Sequence, residues 1–188
     1  RYNSMKQQYS KSDQTITATG SASYFNGTKA RAAVEGAEPK FSTQLIVTDE
    51  KSINAINHAV EAAKHNGIGI FGGKIPPTLK LPLRNGNEER PGTPEYKDAW
   101  FCNANSTKKP DIVDKNLEPI IDSSELYSGM KIRVKLTAFP YSVNGNKGVG
   151  LALGNIQKIS DGDPLGGQSR SAADDFEVYK ESTADMLS

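Results

Sequence analysis

Between Lys131 and Tyr141 apolar residues alternate one for one with charged, polar or aromatic ones. A β-strand turns successive side chains to opposite faces, so this pattern predicts a strand. Ile132, Val134, Leu136 and Ala138 form its core face, and Lys131, Arg133, Lys135, Thr137, Phe139 and Tyr141 its outer face. Asn144-Gly145-Asn146-Lys147 then predicts a tight turn with positive φ. A return strand follows from Gly148 to Lys158, with Val149, Leu151 and Leu153 facing the core. The pattern slips afterwards to Ile156 and Ile159, which predicts a bulge near Gly154-Asn155. Gly148, Gly150 and Ala152 leave the outer face of the return strand nearly bare, either for a ligand or for close packing of another element.

Upstream, Thr15 to Tyr24 and Lys40 to Thr48 read as strands, the second with Phe41, Thr43, Leu45 and Val47 on one face. Ile53, Ile56, Val60 and Ala63 follow helical spacing and predict a helix over about residues 50–66. Thr48 or Asp49 can cap it and Gly67 can end it. Residues 67–95 are rich in glycine, proline and charge and read as a long loop. Ala99 to Ala104 reads as a strand, Lys108 and Lys109 as a basic turn, and Ile112-Val113 as a short strand. Five or six short strands, one helix and long loops predict a mainly β domain. The expectation is an oligonucleotide-binding (OB) fold, a five-stranded antiparallel Greek-key barrel with one α-helix between strands. A β-sandwich fits the same pattern almost as well.

The outer face of the 131–141 strand carries the most distinctive chemistry. Its cations stand roughly 7 Å apart, a spacing that can follow the phosphates of an extended single strand, and its rings can stack on unpaired bases. Alternatively, this is a solvated edge strand whose lysines block aggregation. Trp100 and Phe101 are adjacent on a strand, so one faces the core and the other outward, and pattern leaves open which.

Catalytic and metal-binding patterns are weak. His58 and His65 lie two helical turns apart, too far for one metal ion. Phe71-Gly72-Gly73-Lys74 lacks the spacing of a phosphate-binding loop. Asp111 and Asp114 are the best enzymatic candidates, as carboxylates of a metal-dependent nuclease, although ordinary turn residues explain them better. The expectation is no catalytic residue, no metal and no cofactor.

The near-neutral net charge of +1 hides a split. From Ser160 onward seven acids oppose two bases, so the tail carries −5 and the preceding body +6. A basic body with an acidic tail suits a nucleic-acid binder whose tail competes for the basic surface or recruits partners; a solubilising end is the plainer account. The division expected is a flexible start over 1–14, one binding domain over 15–160 and an acidic, disordered tail over 161–188. No apolar run reaches the ~18 residues of a membrane span, and no signal-peptide pattern opens the chain. Cys102 is the only cysteine, which suits a reducing cytosol.

Several stretches together resemble a family of phage proteins whose members bind single-stranded DNA through an OB fold. They include Glu38-Pro39-Lys40-Phe41-Ser42, Gly72-Gly73-Lys74-Ile75-Pro76, Leu81-Pro82-Leu83-Arg84-Asn85-Gly86 and Phe101-Cys102-Asn103-Ala104-Asn105-Ser106. Val113-Asp114-Lys115-Asn116, Leu126-Tyr127-Ser128-Gly129, Asn144-Gly145-Asn146-Lys147-Gly148 and Gly154-Asn155-Ile156-Gln157-Lys158 continue the series, which Asp161-Gly162-Asp163-Pro164-Leu165-Gly166-Gly167 and Asp174-Asp175-Phe176 close. The resemblance implies a sequence-independent coat on single-stranded DNA in phage replication or recombination, in the host bacterial cytoplasm. Its tail would reach phage or host replication and recombination proteins.

The site expected on these grounds has Lys131, Arg133, Lys135 and Lys147 on phosphates and Phe139 and Tyr141 on bases. Trp100 is a third stacking residue, and Lys74, Arg84 and Lys109 extend the charged track. The rival readings are the nuclease and a protein-interaction module that binds DNA incidentally.

Overall fold

The computed structural model describes residues 8–165 and 178–179. Five long elements build a barrel: β1 (Thr15–Arg31), β2 (Lys40–Val47), β4 (Trp100–Ser106), β6 (Lys131–Val143) and β7 (Asn146–Ser160). β1 pairs with β2 through Ser21–Arg31 and with β6 through Thr15–Ser21, each antiparallel. β2–β4 and β6–β7 are antiparallel too, and a parallel contact at Asn105–Ala152 between β4 and β7 closes the ring. Two short strands extend it: β3 (Arg84–Asn85) lies on β4 and β5 (Ile112–Val113) on β7. The mainly β barrel with one main helix is therefore the architecture found.

The helix α1 (Glu50–Asn66) follows β2, and its start is fixed by the Asp49 carboxylate, which accepts from the Ser52 amide at 2.9 Å. Ser52 Oγ in turn accepts from the Thr19 amide at 2.9 Å, so the first turn of α1 meets β1 where that strand passes from β2 to β6. Ile56, Ala59, Val60 and Ala63 are buried in the same core as Leu45, Val47, Cys102, Ile132 and Leu136. The helix stops at Gly67, where a Cβ would collide with Pro140.

The chain is already folded ahead of the expected boundary at residue 15. Tyr9 packs against the rings of His58 and His65, and buried Gln14 donates to the Ala138 carbonyl at 2.9 Å. At the other end, the Leu165 amide donates to the Ser128 carbonyl at 3.0 Å, so 161–165 belong to the fold. Most of the acidic tail expectation, 166–177 and 180–188, lies outside the described residues, as do residues 1–7.

Residues 67–95, expected as a loop, are not merely that. β3, the four-residue helix α2 (Gly86–Glu89) and a short 3-10 turn at Pro94–Tyr96 lie in this stretch or at its end. Ile46, Tyr96, Ala99 and Phe101 form a second small core there, separate from the barrel interior. Gln44 takes hydrogen bonds into this layer, accepting from Tyr96 Oη and donating to Asn103 Oδ1.

Candidate nucleic-acid interface

β6 is a central strand, flanked by β1 and β7, so the edge-strand reading of its lysines fails. Its burial alternates as the sequence predicts: Ile132, Val134, Leu136 and Ala138 are buried and Lys131, Arg133 and Lys135 exposed. Asn144 and Gly145 both take positive φ, 51° and 79°, and make the two-residue turn into β7. In β7 the register moves from Val134–Ile156 to Leu136–Leu153, which places the extra residue at the expected Gly154-Asn155.

The partners of Lys131 and Arg133 are neutral. Lys131 Nζ donates to Ser21 Oγ at 2.6 Å, and Arg133 donates from Nε and Nη2 to Gln157 Oε1 at 3.0 and 2.6 Å. Among the described residues no carboxylate lies within ion-pair distance of Lys131, Arg133 or Lys135. A groove of about 480 Å³ runs over Arg133 and Lys135, with Thr17, Thr19 and Gln157 in its lining, Lys51 from α1 and Leu117 from the segment after β5. A second hollow of about 730 Å³ shares Thr19 and Asp49 with it and is lined by Lys131, but also by Glu95 and Asp163. The basic character is therefore concentrated at the Arg133–Lys135 end.

Farther along β6 the two rings lie over glycines. Phe139 stands opposite Gly150 and Tyr141 opposite Gly148 in the ladder. A Cβ at Gly150 would fall 2.5 Å from the Phe139 ring, and one at Gly148 2.6 Å from Tyr141 Oη. The bare face of β7 is thus filled by the hairpin's own aromatics and is not an open berth for a ligand. Phe139 remains 39% exposed, and its centroid is 6.4 Å from that of Tyr141 at 51° between planes.

The other expected residues are dispersed. Trp100 pairs with Val47 and shares the core-side face of Cys102, so it does not stand on the cationic face; as the first residue of β4 it is still 37% exposed. Phe101 is the ring that points out of the barrel, and it is buried beneath Arg84 and Arg90, whose guanidinium carbons lie 4.9 and 5.1 Å from its centroid. Arg84 is ion-paired: its fork is engaged by Glu89, Nε at 2.9 Å from both carboxylate oxygens and Nη2 at 2.8 Å from one. A phosphate meeting this guanidinium would compete with the Glu89 carboxylate. Lys147 sits at the turn as expected, with its Nζ donating to the Phe71 carbonyl at 3.1 Å. Lys74 is exposed in the loop after Gly73, and Lys109 lines a different cleft of about 670 Å³ beside β5.

Asp114, of the nuclease pair, has its Oδ1 occupied by the amides of Asn116 at 2.8 Å and Glu118 at 3.0 Å. No group of three or more His, Cys, Asp or Glu side chains is gathered as a cation site among the described residues. Burial pushes the Cys102 thiol up to about 12. Gln157, Lys51 and Leu117 were not singled out from sequence. The hydroxyl series Thr15, Thr17, Thr19, Ser21 on β1 was the available signal for the groove floor, but only the register with β6 places it beside the cations.

The barrel recurs in known proteins. No curated protein matches the sequence. Among solved structures, the single-stranded DNA-binding protein from bacteriophage Enc34 in complex with ssDNA superposes with a TM-score of 0.69 at 22% identity, over 87% of this chain and 100% of that one. Its C-terminal truncation gives 0.67 at 22% identity, over 81% and 88%. Gp2.5, a single-stranded DNA-binding protein encoded by bacteriophage T7, gives 0.57 at 18% identity, over 89% and 98%. The model of the Enterobacter phage Enc34 ssDNA-binding protein family matches residues 14–187, and the chain belongs to that family.

Proposed function

We propose that this protein binds single-stranded DNA without sequence preference, in phage DNA replication or recombination within the bacterial cytoplasm, and that it catalyses no reaction. The observation carrying the assignment is the outer face of β6: three cations without carboxylate partners among the described residues, followed by two rings seated on glycine. Family membership supports the ligand class. Lys131, Arg133 and Lys135 meet phosphates, each contact releasing condensed counterions. Phe139 and Tyr141 stack bases, and stacking tolerates any sequence because every base has a π-face.

From Lys131 to Tyr141 the face extends ten residues, roughly 33 Å at the rise of a strand. Groups spread over that length suit a polynucleotide and not a mononucleotide. The acidic tail beyond residue 165 is assigned to phage or host replication proteins.

The test is a fluorescence titration with oligonucleotides of graded length at two salt concentrations. Affinity should rise with length to a plateau, fall with salt, and favour poly(dT) over duplex. Equal, weak and salt-erased binding to single and double strands would instead identify a basic protein-docking surface. Cleavage of labelled DNA in Mg²⁺ or Mn²⁺ would establish the nuclease reading.

A further inference from the structure

Leu117 has an unusual backbone and an unusual exposure for a leucine. Its φ is +67°, in the left-handed region that costs a residue with a Cβ free energy. Its side chain brings little burial in return, for the residue is 70% exposed. The conformation is imposed by a turn built on Asp114. The Leu117 amide donates to the Asp114 carbonyl at 3.1 Å, the Asp114 amide donates to the Glu118 carbonyl at 2.8 Å, and the Asp114 carboxylate takes the amides of Asn116 and Glu118.

The turn is tied to the cationic strand by one side chain. Gln157 Oε1 accepts from Nε and Nη2 of Arg133, while its Nε2 points at the carbonyls of Asp114 and Lys115, 3.4 Å from each. Leu117 thereby lines the same groove as Arg133 and Lys135. A leucine kept for stability would be buried, and glycine would occupy this backbone without strain. Strain at an exposed position beside a binding groove points to a role in binding.

We infer that Leu117 is a further contact residue for the polynucleotide, an apolar wedge that lies against or between unstacked bases while Arg133 and Lys135 hold the adjoining phosphates. Apolar side chains inserted between base steps are a known means of holding nucleic acid unstacked. The inference rests on the binding reading given above, and it names a residue that neither charge nor aromatic character would reveal.

Leu117→Gly tests it, because this change removes the wedge and relieves the strain together. Its melting midpoint should equal or exceed that of the native protein. Its affinity for poly(dT) should fall about three- to tenfold, below the effect of losing an aromatic stack, with an unchanged salt slope. Leu117→Phe should restore binding. An oligonucleotide containing 2-aminopurine should show a smaller fluorescence change on binding the glycine variant. Native affinity in Leu117→Gly, alongside weakened binding in Lys135→Ala, would overturn the wedge and leave the cationic groove intact. Native affinity in both variants would remove the groove reading itself. A lower melting midpoint in Leu117→Gly would show a structural leucine and also overturn the inference.

Discussion

Replacing Arg133 by alanine separates electrostatic binding from everything else the hairpin does. The guanidinium spends two N–H groups on the neutral Gln157 Oε1 and none on a carboxylate among the described residues. Deleting it leaves no buried charge unpaired. The bond lies at the surface, so stability should fall by about 1 kcal/mol or less. Binding should respond differently. One phosphate contact on a single strand contributes about 0.7 to the slope of log affinity against log salt. The variant's slope should be shallower by about that amount, so the native-to-variant affinity ratio should shrink about fivefold across a tenfold rise in salt. The loss should be the same for poly(dT), poly(dA) and mixed sequence, because a phosphate contact carries no base information. The assay is Trp100 or labelled-oligonucleotide fluorescence at four or more salt concentrations, with thermal melts of both proteins. Parallel salt lines with equal affinities would refute the assignment of this face to phosphates. Parallel lines with a lower melting midpoint would assign Arg133 to the fold instead.

Gly150→Ala should push Phe139 off its seat, since a Cβ there meets the ring at 2.5 Å; affinity should drop while the salt slope holds, measured in the same titration. Lys158→Met should lower stability by about 1–2 kcal/mol in a urea melt, by removing charged hydrogen bonds from a side chain that is only 8% exposed. Burial works against the Lys158 ammonium, but hydrogen bonds to Asp161 and Glu125 outweigh it and hold its pKa above 10.5; that stabilisation is complete below 10.5 and is lost as pH climbs through the folded value. The carboxyls of Asp161, held down chiefly by Lys158, and of Glu89, held down chiefly by Arg84, have the opposite sign. Their stabilisation is present above the ordinary values of 3.8 and 4.5 and is lost as pH falls through the depressed ones, so a pH series of melting midpoints should decline on the acid side below those values. Cys102, buried with its thiol pushed up to about 12, should react with a thiol reagent only in denaturant.

The elements legible in the sequence are those whose periodicity is enforced by a single large core. β6, β7 and α1 meet that core over Ile132–Ala138, Val149–Ile156 and Ile53–Ala63, and the residues facing it are apolar at the period of the element, broken in β7 only at the bulge. The segment 67–99 was not legible because its contribution is made by few residues. Tyr96, Ala99 and Phe101 meet Ile46 with no repeating period between them, while glycine, proline and charge dominate the residues around them. Phe101 also shows why one strand pattern misleads. It faces away from the barrel and is nevertheless buried, so the alternation in β4 has two apolar faces and no polar one at its start. The Arg84–Glu89 pair was not legible because Glu89 lies five residues on, at the far end of α2, a separation no helix or strand rule brings together. The glycine face of β7 was readable as either space or packing, and only the ring positions on β6 decide between them.

The cross-strand neighbours of the three cations leave this face positively charged. Opposite charges placed across a ladder stabilise a sheet by about 0.2–1 kcal/mol per pair. β6 forgoes that stabilisation: Lys131, Arg133 and Lys135 stand opposite Ser21, Thr19 and Thr17 on β1, and Lys131 and Arg133 opposite Ser160 and Gln157 along β7. A hydroxyl orients Lys131 and an amide orients Arg133, without neutralising either. Where this protein uses a cation for structure, it behaves otherwise. Lys158, also on β7, is buried with Glu125 and Asp161 both within 3.0 Å. Short neighbours on β1 and β7 also leave the long side chains of β6 standing above the sheet, and glycines let two rings settle beside them. An acid introduced among those neighbours therefore provides a direct test. Thr17→Glu should pair with Lys135, leave the melting midpoint unchanged or slightly higher, and weaken DNA binding with a shallower salt slope. Undiminished binding in that variant would mean that the polynucleotide runs elsewhere on the barrel.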